Sequence, residues 1–260
     1  MSKPSRPGPL VPSVAHALAI LRLLGTTGEA LGVNAIARRL GLGPSTCFNI
    51  LKTLLAEDMV TFDAETKLYK LGLGTVGISR MALNSDAVVA AARPIMSKLA
   101  VKFDAAVALW RPTGRDRVTL VHLAEGEAGT RIHMMVGQRQ PIGGGAIGRA
   151  LMAAAAVPGE RLVEVFGAVR WQRPLNFDQY AAQIQDVRKH GYALDIDQFL
   201  RGITTAAAAI PGNGDAVYGL SASMFSGRHD KAALRNVGEA VAAAARAVAV
   251  QPAGLQEPAG

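Results

Sequence analysis

Apolar positions in the first sixty residues recur at three- and four-residue intervals, and the pattern breaks at glycines. Val14, Ala17, Leu18, Leu21 and Leu24 form a stripe that predicts a helix beginning at Ser13, with the Ser13 hydroxyl as its N-cap. Two further helical patterns, 33–40 and 44–57, flank Gly41. Ile36, Ala37, Leu40, Leu42, Cys47 and Ile50 occupy the packing positions of a helix-turn-helix, and Gly41 supplies the turn. Pro44 suits a first helical position, where its missing N–H costs nothing. Cys47, Ile50, Leu51, Leu54 and Leu55 predict the buried stripe of the second of these helices.

The period then changes. "MVTF" and "KLYKL" read as two short strands joined by a polar turn. Three helices followed by a hairpin predict a winged helix-turn-helix over 13–72, behind a Pro-rich, basic and disordered arm at 1–12. "LGTVGISRMAL" predicts a linker helix within 73–85. From 86 to 250 a second domain is expected, with a tail at 251–260. Its pattern is a helix at 86–102, strands in "AAVALW", "RVTLVHL" and "RIHMMV", and helices at 145–156, 159–167 and 176–190. Strands in "YALD", "TTAAAAI" and "VYGLSASMF" follow, and a closing helix covers 230–250. Strands in two groups with helices between and after them predict an α+β domain on a mostly antiparallel sheet.

Burying the Cys47 stripe leaves Ser45, Phe48, Asn49 and Lys52 on the opposite face, with Thr46 beside them and Arg38 on the preceding helix. In helix-turn-helix proteins this part of the second helix enters the major groove. Ser45 and Asn49 can contact base edges or phosphates, Phe48 a thymine methyl, and Lys52 a phosphate. Lys67, Lys70 and Thr66 on the wing are placed to follow the backbone. The alternative is a small helical domain, or a protein-interaction module, whose polar face is merely solvated.

Charge favours the first reading. The chain of 260 residues has a formal net charge of +8 and a pI near 10.0. Residues 1–83 hold 9 Lys and Arg against 5 Asp and Glu, so positive density is highest at the N-terminal end. A polyanionic partner, double-stranded DNA, is expected. Cys47 is the single cysteine, which excludes an internal disulfide and fits a cytoplasmic protein. No signal-peptide core or membrane-length apolar run is present in the sequence, and no membrane partner is expected.

The stretch from "SVAHALAILRLLG" through "NAIARRLGLGPSTCFNILKTLLAED" to "KLYKLGLG" resembles the DNA-binding domain of the IclR family of bacterial transcriptional regulators. The similarity continues through "VGQRQPIGGGAIGRALMA" and "GYALDIDQFLRGITTAAAAI". It implies two domains: a winged helix-turn-helix, then, after the linker, a GAF-like α+β effector-binding domain. It also implies a homodimer or homotetramer, associated through the DNA-binding and linker region, on a palindromic operator. Pro44 and Asn49 stand where the family commonly carries basic residues around Ser-Thr, a departure that implies a different operator sequence. The same resemblance places an effector pocket at Ile132, Gly145, Ala146, Ile147, Asp195, Ile203 and Thr205, with Met134 on the Ile132 side of its strand. Thr205 stands where the family often has Cys.

"GGGAIG" at 143–148 formally matches a dinucleotide fingerprint, but "GQRQP" precedes it where a strand should run into the first glycine, and no βαβ unit follows. These glycines either free backbone N–H groups for an anion at a helix N-terminus or only permit a tight turn. A small organic acid, with aromatic acids among the candidates, is the expected effector. Asp195, read as an unpaired carboxylate, argues against a highly charged one. Catalytic patterns are absent: no G-x-S-x-G elbow, no metal-ligand spacing, and five scattered histidines (16, 122, 133, 190, 229). No cofactor or metal is expected. The competing class is an enzyme or carrier built on the second domain, which would need a nucleophile–base pair in the pocket.

Overall fold

A computed structural model describes residues 11–84, 87–126, 132–211 and 218–250. The expected arm at 1–12 and tail at 251–260 lie, but for residues 11 and 12, outside the described residues. The chain divides into two compact units, Met1–Ser85 and Asp86–Gly260.

In the first unit, α1 (Pro12–Thr27), α2 (Val33–Leu40) and α3 (Pro44–Ala56) precede the hairpin of β1 (Val60–Asp63) and β2 (Leu68–Leu71), and α4 (Gly74–Asn84) follows. Ile20, Leu24, Ile36, Ala37, Cys47, Leu51, Leu54, Val60 and Tyr69 form its core. Gly41 adopts φ 66 and the Leu42 N–H returns to the Ala37 carbonyl at 2.9 Å, which closes α2 and aims α3 across it. Leu31 exchanges both backbone hydrogen bonds with Tyr69, so the wing gains a third extended segment.

Three expectations are corrected here. Helix α1 starts one residue early, on Pro12, with Val11 as N-cap and no side-chain cap; Ser13 lies inside the first turn. Its buried face is centred on Ile20 and Leu24, and Val14 and Leu18 are exposed. Leu55 is also exposed, because the α3 stripe runs Cys47, Leu51, Leu54 and a residue one place further is turned by about 100°.

The second unit is a six-stranded, wholly antiparallel sheet in the order β5-β4-β3-β8-β7-β6, built from β3 (Ala106–Thr113), β4 (Arg117–Ala124), β5 (Arg139–Pro141), β6 (Ala193–Ile196), β7 (Ile203–Ile210) and β8 (Tyr218–Phe225). Side chains alternate between its faces. Ala206, Ala208, Ile210, Leu220 and Ala222 pack with α5 (Ala87–Phe103) and α9 (Lys231–Val250). Ala108, Trp110 and Ala207 pack on the other side with α6 (Gly145–Ala154), α7 (Gly159–Gly167) and α8 (Phe177–His190).

"RIHMMV" is not a strand. Residues 132–135 have no regular structure, and Arg131 lies outside the described residues. The chain rejoins β4 only where Gly137 donates to Leu120 and Leu120 to Gln138. The ladder partner is therefore β5, and Ile132, His133 and Met134 line a cavity instead.

Candidate DNA interface and ligand cavity

On α3, Ser45, Thr46, Phe48, Asn49 and Lys52 are all exposed, and Phe48 leaves 50% of its surface in solvent. Cys47 on the opposite side is fully buried, burial pushes its thiol up, and it serves as core. Arg38 on α2 is exposed. Lys67 and Lys70 stand on the hairpin, Lys67 at φ 59 where the turn closes onto the Asp63 carbonyl. Asp63 accepts from the N–H groups of Glu65 and Thr66, and these bonds hold its carboxyl below the usual range. The wing therefore carries two acids, Asp63 and Glu65, beside its two lysines.

In the second unit, Ile132, Met134, Gly145, Ala146, Ile147, Asp195, Ile203 and Thr205 line one cavity of about 300 Å³. Ile132 and Met134 are half-buried, but the exposed His133 between them lines the same cavity, so the segment does not present the alternating faces of the expected strand. Helix α6 contributes its first turn. Gly145 has φ 65, and the ring of Phe199 lies against it and Gly144 so closely that a Cβ would contact it. A Cβ on Gly148 would overlap the Gly143 backbone, so the loop can fold onto its own helix only as glycine. Close packing thus explains these glycines, and first-turn N–H groups of a helix lack intrahelical partners in any case. The wholly antiparallel sheet also removes the βαβ context of a dinucleotide fingerprint.

The floor is polar and was not read from the sequence. Trp110 donates to Ser221 Oγ at 2.9 Å, and Thr205 and Ser223 share a hydroxyl contact at 3.0 Å. Ser221 and Ser223, two apart on β8, face the same side as Thr205, which is the register partner of Ser223 on β7. The alternation in "LSASM" was the available signal; its cross-strand partner was not. Arg139 lies at the rim, exposed, with no acceptor among the described residues.

Asp195 is corrected. It is not unpaired: Oδ2 accepts from Arg149 Nη1 at 2.7 Å, and Oδ1 accepts from the N–H groups of Gln198 and Phe199 at 3.1 and 3.0 Å. One lone-pair direction on Oδ2 remains, and the charge is neutralised, so repulsion of an anionic ligand is no longer an argument. Arg149 is fully buried, donates also to Gln198, and stacks over Trp171 and Tyr180. A lone charge inside "GAIGRALMAA" was its only sequence signal. Tyr180 donates to the Gly143 carbonyl at 3.0 Å; burial, partly offset by Arg149, pushes its hydroxyl up to about 12 and keeps it a donor.

A winged helix and a separate domain whose helix N-terminus opens on a polar-floored cavity define a two-domain DNA-binding regulator. The chain belongs to the IclR family: the model of the bacterial transcriptional regulator IclR C-terminal region matches residues 80–250 and that of the IclR helix-turn-helix domain residues 13–64. The HTH-type transcriptional repressor AllR of Escherichia coli K12 is 27% identical over 254 residues, 94% of this chain and 93% of its own. The HTH-type transcriptional regulator BhcR of Paracoccus denitrificans is 29% identical over 236 residues, 89% and 84% respectively. The crystal structure of an IclR transcriptional regulator from Alicyclobacillus acidocaldarius matches with a TM-score of 0.82 at 26% identity, covering 93% of this chain and 98% of the other. The family and these relatives are transcriptional regulators. Among the described residues no helix is long and apolar enough to cross a membrane.

Proposed function

We propose that this DNA-binding regulator answers to a small organic acid held in the cavity of its second unit, and that it reads its operator as a homodimer or dimer of dimers. The observation that carries the ligand reading is the convergence of eight residues from four separated segments on one cavity with apolar walls and a hydroxyl floor. Apolar lining with few convergent polar groups is the usual character of small-molecule sites. The first turn of α6 offers N–H groups and a favourable dipole to a carboxylate, worth about 0.3–1 kcal/mol, and Arg139 can approach from the rim. Ile132, Met134, Ile147 and Ile203 form the wall for the body of the ligand, aromatic acids included. Thr205, Ser221 and Ser223 meet a hydroxyl on it.

DNA contact is assigned to Ser45, Thr46, Phe48, Asn49 and Lys52, with Arg38, Lys67 and Lys70 on the backbone. Val11 at the N-cap of α1 and Val14 and Leu18 on it, together with Leu73 before α4 and Val76 and Ile78 on that helix, leave apolar surface in solvent that a subunit contact would cover. The ligand acts by preferring one arrangement of the paired recognition helices, and its effect is bounded by that preference.

Calorimetry with benzoate and with lactate, beside release of the protein from a selected operator fragment, tests the reading. Thr205→Val should weaken an acid that carries a hydroxyl, and Leu200→Trp, which enlarges a half-exposed side chain lining the cavity, should abolish binding. Undiminished binding in both variants of an acid that releases the native protein places the effector elsewhere.

A further inference from the structure

An open hollow of about 500 Å³ forms on the second unit where the loop between α7 and α8 meets the loop between β6 and β7. Arg170, Trp171, Gln172 and Arg201 line it, and among the described residues no carboxylate does.

The two loops are stapled together. The N–H groups of Gln172 and Arg173 both donate to the Gln198 carbonyl, at 2.9 and 3.1 Å. In return the Arg201 backbone N–H donates to Gln172 Oε1 at 2.7 Å, and its Nε–H to the Gln172 carbonyl at 3.0 Å. Arg173 Nη2 lies 3.2 Å from Asp197 Oδ2, and Asp197 also accepts from the Gly202 N–H and the Ser226 hydroxyl. The ring of Trp171 is fixed beneath, packed against Phe166, Tyr180 and Phe199.

What the staple leaves over is positive. Arg201 is anchored through its backbone N–H and Nε, so its guanidinium is held while both Nη groups have no acceptor among the described residues. Arg170 makes no ion pair or hydrogen bond among them. Asp197, the acid of the second loop, is engaged by Arg173, so it neutralises neither. Both free arginines are exposed and line the hollow, and a ligand reaches them without entering the core.

We propose that this hollow is a second small-molecule site and takes a phosphate group, as the free ion or as a monoester. A guanidinium offers paired N–H bonds that match two oxygens of an oxyanion. Two such groups over one hollow select a dianion, because a carboxylate neutralises only one of them. Nucleic acid fits less well: its phosphodiesters carry one charge each, and the arginines flank a hollow rather than follow a line. The assignment does not rest on the acid reading of the first cavity, although Phe199 and Leu200 of the same loop line that cavity.

The full-length, ¹⁵N-labelled protein is titrated at low ionic strength with inorganic phosphate, glycerol 3-phosphate and acetate, by calorimetry and by NMR. Both phosphates should bind saturably and shift the backbone signals of residues 171–173 and the Arg201 Nε–H. Acetate should bind at least about tenfold more weakly, having one charge to offer. Glycerol 3-phosphate should bind more tightly as pH rises through its second ionisation near about 6. No residue lining the hollow titrates there, so that slope reports the ligand's second charge. Arg170→Gln breaks no bond of the staple and should weaken both phosphates about tenfold or more, the loss of a hydrogen bond to a charged group. A tighter hold on the ester identifies the monoester as the bound form, and an equal hold the free ion. The proposal is overturned if phosphate shifts only Ala146 and Ile147, if Arg170→Gln binds unchanged, or if acetate binds as tightly. It is also overturned if a duplex of random sequence displaces phosphate from residues 171–173, which makes the hollow a nucleic-acid contact. A failed acid assignment is read at Ala146 and Ile147 and leaves each of these outcomes readable.

Discussion

Replacing Arg149 with methionine keeps an unbranched side chain on α6 but strands the Asp195 carboxylate, which is only 3% exposed. Oδ1 keeps the N–H groups of Gln198 and Phe199, while Oδ2 loses its single partner and Gln198 Oε1 loses the Nη2 donor. Removing one member of a buried pair costs about 3–5 kcal/mol, mostly the penalty of the charge left behind. The two tryptophans, Trp110 and Trp171, both lie in the second unit, and the Arg149 guanidinium sits 5.2 Å from the Trp171 ring. Tryptophan fluorescence in urea therefore follows this unit by itself, which avoids treating a two-unit chain as one transition. With a urea slope of about 2 kcal/mol/M, the midpoint should fall by roughly 1.5–2.5 M. Adding Asp195→Asn removes the stranded charge and keeps a carbonyl for the two backbone donors, so the double variant should recover at least about 1 kcal/mol of the loss. A midpoint lowered by less than about 0.5 M, or a double variant equal to the sum of the singles, would refute the account of Arg149 as the neutraliser of Asp195.

Other consequences concern the DNA-binding unit and pH. Lys52→Ala should weaken all duplexes alike and reduce the salt dependence by about one charge, whereas Asn49→Ala should cost about 1–3 kcal/mol at the cognate operator and relax one base position; gel retardation across salt and sequence separates the two. Leu73→Glu with Ile78→Glu should shift light scattering toward the monomer at micromolar concentration, since both side chains are exposed apolar surface on or next to α4, and a wild-type chain already monomeric on its operator contradicts the proposed dimer. Burial, with Arg93 adding to it, lowers the His122 imidazole below its ordinary 6.5. The neutral form is favoured in the folded protein, so stability present above pH 6.5 is lost as pH falls from there through the depressed folded value. His122→Gln should flatten that decline in thermal melts between pH 7 and 5, and an unchanged slope contradicts it.

The local pattern was enough for most of the elements. Gly41 between two amphipathic stretches, and the period change at Val60, specified a helix-turn-helix and its wing because those signals are set by residues a few places apart. The exposed face of α3 was legible for the same reason: burying Cys47 and Leu51 leaves Phe48 and Asn49 outward on any helix. The resemblance to a known family, not periodicity, grouped Ile132, Ala146, Asp195 and Thr205 as one site. What no local pattern could settle was the pairing of groups far apart in the chain. Asp195 read as a free carboxylate because its partner, Arg149, is 46 residues away, and whether a charge is paired depends on distance in space. Ser221 and Ser223 became a cavity floor only through the antiparallel register with β7. "RIHMMV" alternates like a strand, but a strand exists only where a neighbour accepts its hydrogen bonds, and β4 is met at Gly137–Gln138 instead. Sequence determined which segments could be helices, strands and turns; tertiary structure decided which polar groups neutralise one another, because electrostatics and hydrogen bonding act over ångströms and not over residue numbers.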